Sequence, residues 1–205
     1  YFSPQNSKTI DSILLDHSFN GVVLIKQDSI TLYSKIMGFS NLEKKTKLQM
    51  TDQFVIGSIS KQITAVLVLR EFEKGNIELH ESIDQYLTKS EKPWINKVTV
   101  HHLLTHTHGI EHLESPLEFD PGSQFHYSQL GYDLLAQILE SITGKSFEQL
   151  STELFTEFGF SHTFHPENEN YMNLVNGYEE NENDSLVIAK NSLENYPAAG
   201  SFIST

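Results

Sequence analysis

The sequence predicts an α+β fold in which an N-terminal helix and β-hairpin precede a long, mainly helical stretch. Three observations carry this reading. Residues 21–26 and 30–36 are strand-like runs on either side of the tight turn Gln27-Asp28-Ser29, the pattern of a hairpin. Apolar residues recur with a helical period across 130–142 and again across 147–158. The rest shows no internal repeat and no linker rich in Gly and Ser. The domain division that follows is 1–57, the helix and hairpin of an α/β lobe, and 58–205, a mainly helical lobe.

Taken in order, residues 7–16 put Ile10, Ile13 and Leu14 on one helical face, and the hairpin follows. Residues 41–50, dense in lysine, read as a loop. Phe54-Val55-Ile56 is a short apolar run entering Gly57, and a helical pattern leaves after Ser58. Ile59, Ile63, Val66 and Leu67 fall on one stripe of that helix, with Lys74-Gly75 as its stop. Residues 77–87 form a polar link into a short helix, and Val98-Thr99-Val100 leads into another at 101–105. The helix at 130–142 is closed by Thr143-Gly144-Lys145, and the next by Gly159. Residues 161–194 read mostly as loop and carry acidic stretches at Glu167-Asn168-Glu169-Asn170 and at 179–184, solvated surface by composition. A two-stranded sheet is not stable alone, and no convincing strand partner follows before Thr205. The sequence therefore predicts that the natural chain continues.

Composition narrows the function. The 205 residues suffice for one sizeable core or two small lobes. A formal net charge of −13 argues against a nucleic-acid partner held by its phosphates. The absence of cysteine excludes disulfides and zinc–thiolate sites. The longest apolar stretch, 65–69, is far too short for a transmembrane segment, and Tyr1-Phe2-Ser3-Pro4 lacks the basic start and apolar centre of a signal peptide.

The chemistry concentrates at Ser58-Ile59-Ser60-Lys61. Residues three apart on a helix stand one above the other, so the Lys61 amine can reach the Ser58 hydroxyl. A serine is a poor nucleophile near neutral pH without a base within hydrogen-bond distance, and a lysine can serve as that base. At a helix N-terminus, free N–H groups and the positive dipole end can stabilise an oxyanion. Alone, the spacing reads first as a serine cap with a surface lysine. A second element, Pro121-Gly122 followed by Phe125-His126-Tyr127-Ser128-Gln129, sets a tyrosine just ahead of a helix. A phenol near ammonium groups can have a lowered pKa and shuttle protons; alone, Tyr127 reads as a packed aromatic.

Together these elements resemble the serine β-lactamase and penicillin-binding protein superfamily, in its branch of class C β-lactamases, D-Ala-D-Ala carboxypeptidases and class VIII esterases. Residues 54–65 look like that family's nucleophile helix. Leu103-Leu104-Thr105-His106-Thr107-His108-Gly109-Ile110 looks like its Leu-Leu-Thr-His-Thr-Ser-Gly-Leu segment, and Phe125-His126-Tyr127-Ser128 like the start of its Tyr-x-Asn motif. Gly131-Tyr132-Asp133-Leu134-Leu135 looks like the helix that follows, and residues 197–205 like its Pro-Ala-Gly-Gly-Leu-x-Ser-Thr segment. The resemblance implies a β-lactamase/transpeptidase-like fold, an antiparallel sheet flanked by helices plus a mainly helical lobe, with the chain ending before the C-terminal strands. It implies Ser58 as acylated nucleophile, Lys61 as proton acceptor and electrostatic partner, Tyr127 as proton shuttle and the Ser58 N–H as one oxyanion donor. The implied reaction is acyl transfer and hydrolysis of a β-lactam, a peptidoglycan-type D-Ala-D-Ala peptide or a small ester, without metal or organic cofactor, outside the cytoplasm.

Two departures stand out. Gln129 takes the place of the family's Asn, with its amide one methylene further out as the substrate-binding group. The family's Lys-Thr-Gly or His-x-Gly run is not matched before Thr205. These departures keep a second reading open, a non-catalytic binding or assembly module on the same fold. His102 and His106 have the spacing of a zinc helix, but no H-E-x-x-H order, so helix packing and capping is the preferred reading. Trp94 reads as a core residue, and Asn183-Asp184-Ser185 as a chance glycosylation triplet.

Overall fold

A computed structural model describes residues 2–87, 91–168, 171–189 and 196–205. Glu169, Asn170 and residues 190–194, part of the stretch read as loop, lie outside the described residues. The chain divides into two compact units, one of Tyr1–Phe54, Met172–Lys190 and Thr205, the other of Val55–Tyr171 and Asn191–Ser204. The linear split at 57/58 thus differs from the observed units: residues 172–189 cluster with the N-terminal segment. Gln53 draws them there. Its N–H donates to Asn173 O at 3.1 Å, its carbonyl accepts from Val175 N–H at 2.8 Å, and its Oε1 accepts from Met172 N–H at 2.7 Å.

In the first unit, α1 (Pro4–Asp16) starts at a capping box in which Ser3 and Asn6 exchange side-chain bonds to each other's N–H groups. β1 (Gly21–Gln27) and β2 (Ile30–Met37) pair antiparallel with Leu24 opposite Ser34 and a register shift at Ile25/Lys26. The Tyr33 hydroxyl donates to Asp11 at 2.8 Å and Lys35 pairs with Asp11 at 2.9 Å, tying the hairpin to α1. β3 (Phe39–Asn41) and β4 (Thr46–Lys47) form a second antiparallel pair, with β4 falling inside the lysine-rich stretch expected as loop. β5 (Phe54–Val55) is where the chain passes from one unit to the other.

The second unit opens with a 3-10 turn at Gly57–Ile59 that runs into α2 (Ser60–Glu73). α3 (Val100–Leu104), α4 (Leu130–Thr143) and α5 (Phe147–Glu157) follow, with α4 ending at Gly144 in the left-handed conformation. They enclose a core in which Val68, Trp94, Leu103, Leu135, Ile138, Leu139 and Phe202 are almost fully buried. Trp94 belongs to that core, its indole N–H donating to Leu113 O at 3.2 Å. The inward face of α2 departs from the predicted stripe. It carries Ser60, Lys61, Thr64, Leu67, Val68 and Glu71, while Ile59 and Val66 are exposed. The reason is polar: that face hydrogen-bonds to the segment 198–202 described below.

Residues 161–194, read as mostly loop, contain β6 (Tyr178–Glu180) and β7 (Leu186–Ile188), an antiparallel pair of the first unit. The Tyr178 hydroxyl accepts from Leu42 N–H and donates to Glu43, both at 2.8 Å. In the second unit, α6 (Pro197–Gly200) leads to β8 (Ile203–Ser204), where Ile203 and Phe164 exchange backbone bonds of 2.8 and 3.0 Å.

Candidate active site

Gly57 sets the entry. Its φ of +56° is a conformation that costs side-chain-bearing residues energy, and it turns the chain so that Ser58 stands exposed at the head of α2. Lys61, on the first turn of α2, points inward and is 6% exposed. Its Nζ donates to Ala199 O at 2.6 Å and lies 3.3 Å from Ser58 Oγ. Two further bonds fix the same helix face: Thr64 Oγ1 donates to Ala198 O at 2.7 Å, and Phe202 N–H donates to Ser60 Oγ at 3.2 Å. The segment 198–202 therefore aims the lysine.

Tyr127 comes from the loop before α4. Its hydroxyl is 2.5 Å from Ser58 Oγ, and Lys61 Nζ sits 4.7 Å from the centre of its ring and 5.5 Å from that of Tyr132. Burial pushes the Tyr127 phenol up, but the Lys61 ammonium and the Ser58 hydroxyl outweigh it and hold the pKa below the usual tyrosine value. The structure thus brings Ser58, Lys61 and Tyr127 within reach of one another. Gln129 stands apart as the exposed residue that starts α4 through its backbone, its carbonyl accepting from Tyr132 and Asp133 N–H groups.

Two histidines of the segment after α3 are buried, His106 against Tyr127 and His108 in the interior. His106 packs 4.6 Å from the Tyr127 ring and 5.2 Å from Tyr132. His108 is 1% exposed; its Nδ1 accepts from Ile110 N–H at 2.9 Å, and burial pushes its pKa to about 4. Gly131 makes room for it, since a Cβ there would sit 2.7 Å from His108 Nε2. His102 and His106 do not share a helix face: α3 ends at Leu104, His102 caps its start, and His106 turns to a φ of +56°. Among the described residues, Glu111, Glu118 and His126 lie close enough to share a cation, all exposed. The His126 ring already bonds Glu118 through Nδ1 at 3.2 Å while Nε2 faces Glu111 at 3.9 Å, so the two carboxylates take opposite edges of one imidazole.

The Beta-lactamase family matches residues 7–205. The chain belongs to that family. It is 27% identical over 219 residues to the teichoic acid D-alanine hydrolase of Staphylococcus aureus, covering 97% of this chain and 54% of that protein. It is 28% identical over 174 residues to penicillin-binding protein 4* of Bacillus subtilis, covering 72% and 38% respectively. Among solved structures, FmtA from Staphylococcus aureus shares the fold with a TM-score of 0.84 at 24% identity, over 97% of this chain and 62% of that one. The chain spans 38% to 54% of the length of these curated Beta-lactamase family relatives.

The sequence had no means of showing the carbonyls of Ala198 and Ala199 as anchors, because any residue type offers a carbonyl. The ring contacts of His106 carry no sequence signal beyond its place in Thr105-His106-Thr107.

Proposed function

We propose that the protein is a serine hydrolase that works by acyl transfer through an ester on Ser58, on a β-lactam, a D-Ala-D-Ala-type peptide or a small ester. The observation that carries this reading is the 2.5 Å approach of the Tyr127 hydroxyl to Ser58 Oγ, with Lys61 Nζ 3.3 Å from the same oxygen. As Oγ attacks the carbonyl carbon, its proton passes into the Tyr127–Lys61 pair. The Ser58 N–H faces the oxyanion, and Tyr127 returns the proton to the leaving group as its bond to the acyl carbon breaks. Water then attacks the ester, gives its proton to the same pair, and releases the acid while Oγ is reprotonated. The Gln129 amide is offered to a substrate carbonyl. The two curated relatives favour a D-alanyl or penicillin-like acyl group and a site outside the cytoplasm. No helix among the described residues is long and apolar enough to cross a membrane.

The test is intact-protein and peptide mass spectrometry after incubating the full-length protein with a fluorescent penicillin and, separately, with a nitrophenyl ester. The expected result is a covalent adduct on the Ser58 peptide that disappears in Ser58→Ala. No adduct from either probe on folded protein would overturn the reading.

A further inference from the structure

We infer that His106 is a positioning residue for Tyr127, gripping the main chain on both sides of it so that the phenol stays aligned with Ser58. The inference rests on the proposed roles of Ser58 and Tyr127 and adds the group that sets their geometry. Tyr127 is 47% exposed and belongs to the irregular stretch before α4, so no helix or strand ladder fixes it. Two bonds do. His126 N–H donates to the His106 carbonyl at 2.8 Å, and Ser128 N–H donates to His106 Nδ1 at 3.2 Å. One residue thus supplies both acceptors flanking the tyrosine.

The ring completes the grip. The imidazole packs against the rings of both Tyr127 and Tyr132, with Phe125 edge-on at 5.8 Å. Tyr132 is itself held by donating to Leu104 O at 3.2 Å. The geometry requires His106 to sit in the left-handed region at φ +56°, where histidine and asparagine are among the side chains found more often than others. Thr107 N–H donates to His102 O at 2.9 Å and braces this turn. Accepting from Ser128 N–H requires an unprotonated Nδ1. Burial and then the charge on Lys61 lower the His106 pKa, which keeps the ring in that form. A displacement of about 1 Å in such an alignment is worth about 10²-fold in rate.

Three variants separate the acceptor from the ring. His106→Ala removes both; His106→Asn restores a δ-position acceptor and tolerates the left-handed backbone; His106→Phe keeps a ring without an acceptor. Ser58 acylation by the fluorescent penicillin should slow about 10²-fold in His106→Ala and His106→Phe, and His106→Asn should recover about tenfold of that loss. A second readout does not need turnover. The ultraviolet titration of Tyr127, taken as the difference from Tyr127→Phe, should move back toward the ordinary tyrosine value in His106→Ala and not in His106→Asn. Acylation and titration unchanged in His106→Ala overturn the inference, as does failure of His106→Asn to outperform His106→Phe, whether through slow labelling or misfolding. If the parent protein takes no label but the titration shift appears, the proposed reaction fails and the positioning role stands.

Discussion

α2 and α4 are both fourteen residues long and belong to the same unit, yet they bury opposite kinds of surface. α4 turns Leu134, Leu135, Ile138 and Leu139 into the core. α2 turns in Ser60, Lys61, Thr64 and Glu71 alongside Leu67 and Val68. Each buried polar group of α2's first turns is matched: Ser60 accepts from Phe202 N–H, Lys61 donates to Ala199 O, and Thr64 donates to Ala198 O. Burying such groups unmatched is costly, so the arrangement persists only where every donor finds its acceptor. The contrast teaches that α4 is a packing helix, whereas α2 spends its inward face on orientation.

That contrast can be broken most sharply at Lys61. Lys61→Ala should lower the rate of Ser58 acylation on the order of 10⁴-fold while circular dichroism stays that of the parent. A variant that labels at the parental rate would remove the chemical meaning of α2's polar face. On α4 the opposite outcome is expected. Leu135→Ala leaves a cavity in a fully buried position and should cost about 2–5 kcal/mol by urea unfolding. The molecules that remain folded should acylate normally. Ser60→Ala sharpens the comparison from the α2 side: it strips the acceptor from a buried N–H and should cost about 1–3 kcal/mol, less than the apolar truncation on α4.

The last expected effect concerns acid. Burial pushes His108 and His165 down to about 4 from 6.5, so the unfolded chain binds protons first and stability falls as pH drops from 6.5 toward 4. Burial raises Asp133, on α4, to about 6 from 3.8, against the opposing charge of Lys61. There the folded chain binds the proton first, which stabilises it over part of the same range. Two histidines against one aspartate leave a net loss, and melting temperatures measured at about pH 7 and about pH 4.5 should show it. A flat profile would mean that the histidines are not held neutral.

What could be read from the sequence follows the same line. The core face of α4 was legible because apolar period and core face coincide. The Ser58–Lys61 pair was legible because three residues of helix make them neighbours. α2's buried stripe was not, since Ile59 and Val66 look like core and are exposed. Its orientation comes from Ala198, Ala199 and Phe202, more than 130 positions away in the chain. The hairpin of β1 and β2 showed through its tight turn. The pair of β6 and β7 did not, because Asn181 to Ser185 reads as solvated loop and Leu186, Val187 and Ile188 are all exposed, without the alternation that marks a half-buried strand.

The bond from Lys61 to Ala199 spans 138 positions. During synthesis the ribosome delivers Ser58, Lys61 and Tyr127 well before the Ala199 carbonyl that aims the lysine. A nascent chain halted after α5 would lack both the carbonyl that the Lys61 amine bonds and the buried Phe202 of the core. On the proposed role of Ser58, its activation by Lys61 therefore waits for a segment made long after the turn and helix that carry the two residues.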